Sequence, residues 1–216
     1  MYIQITSKCN MRCGHCCFAC EPGKGEHMSF DMFAEILNKW GERISRDNKW
    51  IVIGGGEPTL HPDFWKIISH ALSYGHTWIA TNGSITEDAL KLCRMAERGV
   101  LWAVLSLDKW HEPIDPIVID AFRTGLSEHE FGYKSKDSNS KDKRQIRTVK
   151  QPKIGGNAKQ GLNSCPCRGM QIRSDGTIYS CGCDTAIQIG TVDTGILEKY
   201  QCVSLYDGCY KEWVGI

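Results

Sequence analysis

Four short apolar runs alternate with helical patterns along the first 125 residues, and this alternation constrains the fold more than any other feature of the chain. The runs lie at residues 2–6, 50–53, 77–81 and 101–107. Between them, apolar side chains recur at the spacing of amphipathic helices. Strands that alternate with helices are typical of a parallel sheet. The sequence therefore predicts an α/β fold in which helices pack on a parallel sheet.

The predicted helices have recognisable ends. The first carries an apolar stripe from Phe30 to Ile44. Pro62 lies in the first turn of the second helix, which ends near Gly75. The third begins around Thr86, and a fourth covers about residues 116–124. These helices are short enough to connect consecutive strands of one sheet.

Three cysteines follow the first predicted strand directly. Cys9, Cys13 and Cys16 have the spacing C-x3-C-x2-C, and thiolates in such a loop can converge on one iron–sulfur cluster. A [4Fe–4S] cluster with three protein ligands keeps one iron open to another molecule. The same spacing recurs in Cys13, Cys17 and Cys20, so spacing alone leaves two possible ligand sets.

The chain contains 12 cysteines and no secretory signal, since it starts directly in a strand. No run approaches the length of an apolar membrane span. We therefore expect a cytoplasmic protein without a membrane association, in which clustered cysteines bind metal. Cys93 is expected to be a buried apolar residue. With Lys+Arg 26 and Asp+Glu 25, net charge favours neither nucleic acid nor an anionic membrane as a partner.

The segment Cys9–Cys16, which reads CNMRCGHC, resembles the cluster motif of the radical SAM superfamily. The segment Gly54–Pro58 follows the second strand, where that family carries its Gly-Gly-Glu-Pro element. Thr81–Gly83 and Ser106–Asp108 end the next two predicted strands. Together these motifs cover roughly residues 1–125, which the resemblance implies to be the catalytic core.

The resemblance implies an abbreviated partial (β/α) TIM-type barrel over residues 1–125. The sequence predicts four βα units and at most a fifth strand, at residues 145–149, whereas the family's partial barrel usually has six strands. A basic polar loop is predicted over residues 126–161. A small cysteine-rich C-terminal β-hairpin domain is predicted over residues 162–216.

The resemblance also selects one of the two ligand sets. The family carries an aromatic or imidazole ring just before the third cysteine, and His15 occupies that place in the first set, whereas Ala19 occupies it in the second. The implied cluster ligands are Cys9, Cys13 and Cys16. His15 is expected to pack against the cluster or to donate a hydrogen bond to it.

Two further cysteines, Cys17 and Cys20, are left close to the cluster. They are either local packing residues or thiols used in catalysis or in ligating another centre. Asp108 and His111, in the loop after the fourth strand, are the other catalytic candidates, as substrate-contacting or proton-transferring groups. The alternative for that loop is a capped turn with a hydrogen-bonded histidine.

The resemblance implies a specific chemistry. S-adenosylmethionine binds the open iron, and an electron enters the cluster from a donor such as flavodoxin or ferredoxin. Cleavage yields a 5′-deoxyadenosyl radical that abstracts hydrogen from a peptide, nucleotide or small-molecule substrate. The residues implied to bind this cofactor follow strands and are Gly54, Gly55, Gly56, Glu57, Pro58, Asn82, Ser106 and Asp108.

The last third of the chain is again rich in cysteine. Residues Met170–Ser180 are predicted to form a hairpin that turns at Asp175 and Gly176. Cys165, a ten-residue gap, Gly176 and Cys181 resemble the cysteine pattern of the twitch or SPASM auxiliary-cluster domains that follow many radical SAM barrels. A single auxiliary [4Fe–4S] cluster is therefore expected in this part of the chain.

The sequence does not decide which residues are the remaining ligands of that cluster. Cys183, Cys202 and Cys209 are the candidates, whereas Cys167 leaves a shorter gap and fits less well. An incompletely ligated cluster that offers an iron to substrate is one alternative. A zinc ion in place of the cluster is the main alternative, since four thiolates also make a closed tetrahedral site.

The basic segment after the fourth helix has two interpretations. It is either a solvated loop or a lid over an anionic substrate. For the whole chain we weigh a radical SAM enzyme against two alternatives, a glycyl-radical activating enzyme and a non-enzymatic zinc-stapled binding module. The zinc module leaves the segment Gly54–Pro58 without an explanation.

Overall fold

A computed structural model describes most of the chain. The described residues are 1–16, 18–46, 50–130, 132–137, 139–148, 170–179, 186–196, 200–203 and 210–213. The helices are α1 (Phe30–Arg46), α2 (Phe64–Tyr74), α3 (Thr86–Glu97) and α4 (Pro116–Arg123). The strands are β1 (Tyr2–Thr6), β2 (Ile51–Gly55), β3 (Thr77–Thr81), β4 (Trp102–Ser106), β5 (Ser127–His129), β6 (Gly132–Lys134), β7 (Arg144–Arg147), β8 (Gln171–Ile172), β9 (Thr177–Tyr179), β10 (Gln188–Thr191), β11 (Gly195–Ile196), β12 (Tyr200–Val203) and β13 (Tyr210–Trp213).

The first eleven strands form one open, partial barrel-like sheet, in the order β11-β10-β9-β8-β1-β2-β3-β4-β7-β6-β5. The six consecutive strands from β8 to β7 in this order are parallel to one another, and the strands beyond them on both sides are antiparallel. The predicted alternation of strands and helices in the first 125 residues is confirmed. The sequence predicted at most five barrel strands, and the sixth is β8, which pairs with β1 at the opposite edge from β7.

One face of the sheet packs against the helices. The predicted stripe of α1 is buried at Phe33, Ile36 and Leu37, and it meets fully buried strand residues such as Ile3 and Ile53. Burying each of these side chains contributes about 1.5–3 kcal/mol. Because side chains alternate along a strand, the intervening residues point to the other side.

That other side, which we call the inner face, is mixed polar and aromatic. Its described residues are Tyr2, Gln4, Val52, Gly54, Trp78, Ala80, Trp102, Val104, Ser106, Gln145, Arg147, Gln171 and Arg173. At its lower edge, where the parallel strands begin, the rings of Trp50 and Trp102 lie 4.1 Å apart, and both contact His76. These rings lie at the end where the parallel strands begin, and the cysteine and glycine segments follow the carboxyl ends of β1 and β2 at the other, open end.

The segment after α4 differs from its prediction. A largely irregular basic loop was expected, but β5 and β6 form an antiparallel hairpin that continues the sheet beyond β7. Arg144 holds this edge: its guanidinium pairs with Asp142 at 2.6 Å and donates to the Ala121 carbonyl at 2.6 Å. The hairpin was missed because an exposed edge strand made of polar residues shows no alternation of apolar side chains.

The predicted hairpin turning at Asp175 and Gly176 is present. The Thr177 amide donates to the Asp175 carboxylate at 2.9 Å, and Gly176 adopts the left-handed φ of +81° that this turn requires. The two strands contribute Ile172 and Ile178 to the common core, so this hairpin extends the main sheet. The predicted small C-terminal hairpin is thus joined to the main sheet and is not separate from it.

The side chains of the cysteines predicted to bind an auxiliary cluster lie outside the described part of the chain. Cys165, Cys167, Cys181, Cys183 and Cys209 lie outside the described residues, as does Cys17. Cys202 lies in β12, which pairs with β13, but its side chain is outside the described part. In the described part of the chain, no helix is long and apolar enough to cross a membrane.

Candidate functional site

The cysteine loop leaves the carboxyl end of β1 and returns to it. The Met28 amide donates to the Ile5 carbonyl at 2.9 Å, and the Ser7 amide donates to the Glu26 carbonyl at 2.9 Å. Thr6 also forms an isolated β-bridge with His27. These bonds fix both ends of the loop against one strand, so the cysteines lie at the mouth of the sheet.

Cys9, Cys13 and Cys16 lie close enough for their charges to interact. Burial raises the pKa of Cys9, and it raises the pKa of Cys13 to about 12, with further contributions from the other two thiolates, Asp108 and Glu112. Ionising all three thiols together would therefore place three negative charges side by side in the loop. A cationic metal centre would remove that repulsion, and this donor set fits an iron–sulfur cluster.

The pKa of Cys16 is lowered, in contrast to those of Cys9 and Cys13. The thiol of Cys20 donates to it and lowers its pKa to about 6, assisted by backbone amides of Phe18, Ala19 and Cys20. The Cys20 amide lies 3.4 Å from Cys16 Sγ. Ala19 has φ +51°, an uncommon left-handed conformation for alanine, and such a turn directs successive amides towards one anion. Cys20 is thus buried against Cys16.

The glycine run lies directly against the cysteine loop. The Gly56 amide donates to the Thr6 carbonyl at 2.8 Å, and the Glu57 amide donates to the Lys8 carbonyl at 2.9 Å. A Cβ atom on Gly55 would strike the Thr6 carbonyl oxygen, and one on Gly56 would strike the Lys8 carbonyl oxygen. The glycines are therefore required for the end of β2 to approach the cluster loop, in addition to any approach to a ligand.

Glu57 is a fully buried carboxylate that joins the ends of β2 and β3. It accepts hydrogen bonds from the Thr59 hydroxyl at 2.7 Å, the Thr81 hydroxyl at 2.8 Å and the Asn82 amide at 2.6 Å. Burial raises its pKa, and these hydrogen bonds oppose the increase. Its oxygens are occupied by protein donors, so its part in the predicted cofactor site is to hold the glycine run and Asn82 in place. Pro58 begins the short 3-10 turn Pro58–Leu60 that follows.

Asn82 belongs to a second network that reaches the cysteine loop. Its amide nitrogen donates to Asn10 Oδ1 at 3.1 Å, and Asn10 donates to the Ser84 hydroxyl at 2.8 Å. The Ser84 backbone amide donates to Asn82 Oδ1 at 2.9 Å. Sequence reasoning identified Asn82 but missed Asn10 and Ser84. Their only signal was position, one beside Cys9 and the other two residues after Asn82.

Asp108 and His111, two of the catalytic candidates, lie together after β4. Asp108 accepts from His111 Nδ1 at 2.9 Å and from the Trp110 amide at 3.0 Å, while its second oxygen lies 3.5 Å from His15 Nε2. Burial would raise the pKa of Asp108, but these partners outweigh it and the pKa is lowered. Burial lowers the pKa of His15. An anionic carboxylate therefore lies between two imidazoles.

The ring of His15 lies 5.1 Å from that of Trp110 and 5.0 Å from that of His111. The Arg12 amide donates to Glu112 at 3.0 Å and ties the cysteine loop to the loop after β4. The ligand atoms of His15, Asp108 and His111 lie within 4.8 Å of one another, which is close enough for one metal ion. Both hydrogen bonds that Asp108 accepts fall on Oδ1, whereas its buried Oδ2 and the buried Nδ1 of His15 have no hydrogen-bond partner among the described residues. The group forms a polar wall beside the cysteine loop.

Ser106 ends β4 and is paired in register with Arg147 at the end of β7. The guanidinium of Arg147 lies 5.8 Å from the Trp78 ring, and its buried Nε has no hydrogen-bond partner among the described residues. Sequence reasoning placed Arg147 in the basic segment and in the predicted fifth strand, at residues 145–149, but not in the site. The signal that could have found it was its position at the end of a barrel strand, level with Ser106.

The model of the radical SAM superfamily matches residues 3–127 of this sequence. The chain belongs to the radical SAM superfamily. Members of this family are enzymes, and family membership implies a [4Fe–4S] cluster and S-adenosylmethionine. The geometry of the cysteine loop agrees with that membership, since the donor set and the adjacent glycine run occupy the mouth of the sheet together.

Several known proteins resemble this radical SAM chain. A tungsten-containing aldehyde ferredoxin oxidoreductase cofactor-modifying protein from Pyrococcus furiosus is 36% identical over 110 residues, covering 50% of this chain and 30% of the relative. A probable GTP 3′,8-cyclase from Archaeoglobus fulgidus is 32% identical over 111 residues, covering 50% of this chain and 36% of the relative. The chain thus spans about a third of the length of these two curated relatives.

Among solved structures, BtrN in complex with AdoMet and 2-DOIA superposes with a TM-score of 0.56 at 13% sequence identity. The match covers 89% of this chain and 77% of BtrN. At that identity the likeness shows the fold alone. It extends beyond the region matched by the family model, so the α/β partial-barrel architecture holds for most of the chain.

Proposed function

We propose that this protein is a radical SAM enzyme that binds a [4Fe–4S] cluster through Cys9, Cys13 and Cys16 and cleaves S-adenosylmethionine reductively. When bound, cluster and S-adenosylmethionine supply a 5′-deoxyadenosyl radical, which abstracts hydrogen from a peptide, nucleotide or small-molecule substrate. The observation that carries the proposal is the direct backbone pairing of the cysteine loop with Gly56 and Glu57.

The chain's own residues then have defined roles. The Gly54–Gly56 backbone borders the methionyl amine. Ser106 and the Arg147 guanidinium bind the methionyl carboxylate, since the buried Nε of Arg147 has no hydrogen-bond partner among the described residues. His15 and Trp110 form a ring wall that excludes water from the adenosyl side. Asp108 fixes the orientation of His15 and His111.

Part of the function stays a prediction. The electron donor is of the flavodoxin or ferredoxin type, and the protein is cytoplasmic. A second [4Fe–4S] cluster is held by a set drawn from Cys165, Cys181, Cys183, Cys202 and Cys209, with zinc as the alternative metal. Family membership favours neither a glycyl-radical activating enzyme nor a non-enzymatic zinc module.

The test is to purify the protein without oxygen, count iron and sulfide, reduce it with dithionite and measure 5′-deoxyadenosine from added S-adenosylmethionine. One cluster gives about four irons and two give about eight. About four irons with zinc would keep the enzyme and make the C-terminal part structural.

Cys13→Ala is expected to abolish deoxyadenosine formation and to remove the iron of the first cluster. Cys93→Ala is the matched control, because Cys93 is an equally buried cysteine in α3, and it should retain both. Absence of iron and of cleavage in the wild-type protein after cluster reconstitution would refute the proposed function.

A further inference from the structure

A second group of polar side chains lies on the inner face, on the far side of β1 from the glycine run. Gln171 on β8 is paired in register with Tyr2, and Tyr2 is paired with Val52 on β2. Arg173 follows two residues after Gln171, on the same face, and therefore lies beside Gln4. Gln4 in turn is paired with Gly54. This places Arg173 two strands, about 10 Å, from the glycine run.

Both Gln171 and Arg173 carry buried polar atoms without partners. Gln171 is 8% exposed, and neither its Oε1 atom nor the Nε atom of Arg173 has a hydrogen-bond partner in the described part of the chain. Buried polar groups are normally satisfied, and each unsatisfied one in a folded protein needs an explanation. Both atoms therefore need a partner beyond the described residues: Arg173 Nε needs an acceptor, and Gln171 Oε1 needs a donor.

Arg173 is held rigidly. Its backbone amide donates to the Thr177 carbonyl at 2.9 Å, and its guanidinium lies 3.8 Å from the centre of the Tyr179 ring. The turn that follows packs against Met32 of α1 at Gly176, and Lys39 of the same helix donates to the Val192 carbonyl at 2.5 Å. A guanidinium fixed by stacking on a rigid hairpin is prearranged to bind a ligand.

The charge of this guanidinium is not balanced locally. None of the described residues of the inner face is acidic, and no described carboxylate forms an ion pair with Arg173. Between Arg173 and the opposite wall lie Tyr2, Gly54 and Ala80, and the Tyr2 ring covers Gly54, since a Cβ atom there would strike it. An anion is the ligand that satisfies a fixed, unpaired guanidinium.

We propose that Arg173 binds an anionic group of the substrate, a carboxylate or a phosphate, with the Gln171 and Gln4 amides beside it. This inference rests on the proposed function, and it separates the anion sites of the two ligands. Arg147 binds the carboxylate of S-adenosylmethionine at one wall, and Arg173 binds the substrate at the other.

The experiment titrates inorganic phosphate and, separately, acetate into the anaerobic cluster-loaded protein by calorimetry. Saturating S-adenosylmethionine is present, so that the Arg147 site is filled. Arg173→Gln is expected to weaken phosphate or acetate binding by about tenfold. Arg123→Gln is the matched control: Arg123 also stacks on a tyrosine, Tyr133, at 4.7 Å, but lies on the exposed edge, and its loss should leave affinity unchanged.

Tighter binding of phosphate than of acetate would identify a phosphorylated substrate, and the reverse would identify a carboxylate. Arg173→Lys keeps the charge and the aliphatic stem but not the two-pronged guanidinium, so its affinity should fall between those of wild type and Arg173→Gln. If Arg173→Gln does not fold, the Lys variant carries the comparison. Equal affinity in all variants, or no binding of either anion, would overturn the proposal.

Deoxyadenosine formation without substrate is measured in the same preparations. Arg173→Gln should retain it, because no hydrogen bond or ion pair among the described residues joins Arg173 to the cysteine loop. Intact cleavage with anion binding that is indifferent to Arg173 would refute the substrate site alone. Absence of cleavage in the wild-type protein would refute the proposed function.

Discussion

The two sides of the open end of the sheet are built on different principles. At the ends of β2 and β3, Glu57 and Asn82 are bonded to protein partners, and through Asn10 they reach the cysteine loop. On β7 and β8–β9, Arg147 and Arg173 hold buried nitrogen atoms that lack described partners. The first side is completed by the chain itself and sets the position of the cluster loop. We propose that ligands complete the second side.

This difference separates stability from binding. Substitutions on the satisfied side should destabilise the fold, because they leave buried donors or acceptors unpaired. Substitutions of the unpaired arginines should leave the fold largely intact and weaken ligand binding. A substitution that behaved in the opposite way would show that the division is wrong.

The largest effect is expected from Glu57→Leu. It leaves the Thr81 hydroxyl and the Asn82 amide buried without an acceptor, and it should lower the free energy of unfolding by about 3–5 kcal/mol. Urea denaturation under anaerobic conditions measures it. Glu35→Leu, on the exposed side of α1, should change stability by less than about 1 kcal/mol. If the two substitutions lowered the free energy of unfolding equally, the hydrogen bonds of Glu57 would not contribute to stability as argued.

Glu57 also predicts a pH dependence. Because its pKa is raised in the folded protein above the usual 4.5, the folded state binds more protons than the unfolded state above that pH. Its contribution to stability therefore falls as pH rises from about 4.5 through the folded-state pKa. Glu57→Gln should flatten this part of the stability curve, and an unchanged slope would contradict the assignment.

An intermediate effect is expected from Arg147→Gln. Losing a charge-assisted pair of about 1.5–3 kcal/mol weakens binding of S-adenosylmethionine by roughly tenfold to a hundredfold, with little change in unfolding free energy. Equilibrium binding to the cluster-loaded protein measures it, and Arg123→Gln is the control at the exposed edge. Unchanged affinity would mean that Arg147 does not contact the methionyl carboxylate.

Much of this fold could be predicted because its signals are local. The helix stripes, the strand runs and the turn at Gly176 each depend on residues that are close in sequence. The pairing of β8 with β1 joins residues about 170 positions apart. Since β8 has only two residues, it shows no periodicity from which this pairing could be predicted. The polar hairpin β5–β6 was missed for a similar reason, since its partner β7 supplies the apolar contacts.

The candidate site divides in the same way. Cys9, Cys13, Cys16 and the glycine run could be found from spacing and resemblance. Asn10 and Arg147 could not, because their roles appear only when strand ends that are distant in sequence meet. The sequence also left Cys20 open between packing and chemistry, and the structure places it in hydrogen-bond contact with Cys16.

The smallest expected effect is a change of the cluster's midpoint potential when Cys20 is replaced. A thiol that donates to the Cys16 sulfur stabilises the reduced, more negative cluster, so Cys20→Ala should lower the midpoint potential. A differential of about 0.5 kcal/mol corresponds to about 20 mV for one electron. Potentiometric titration followed by electron paramagnetic resonance measures it, with Cys93→Ala as the control. Cys20→Ser, which keeps a donor, should recover most of the shift. If Cys20→Ala instead lost iron, Cys20 would be a ligand, and the choice of Cys9, Cys13 and Cys16 would have to be revised.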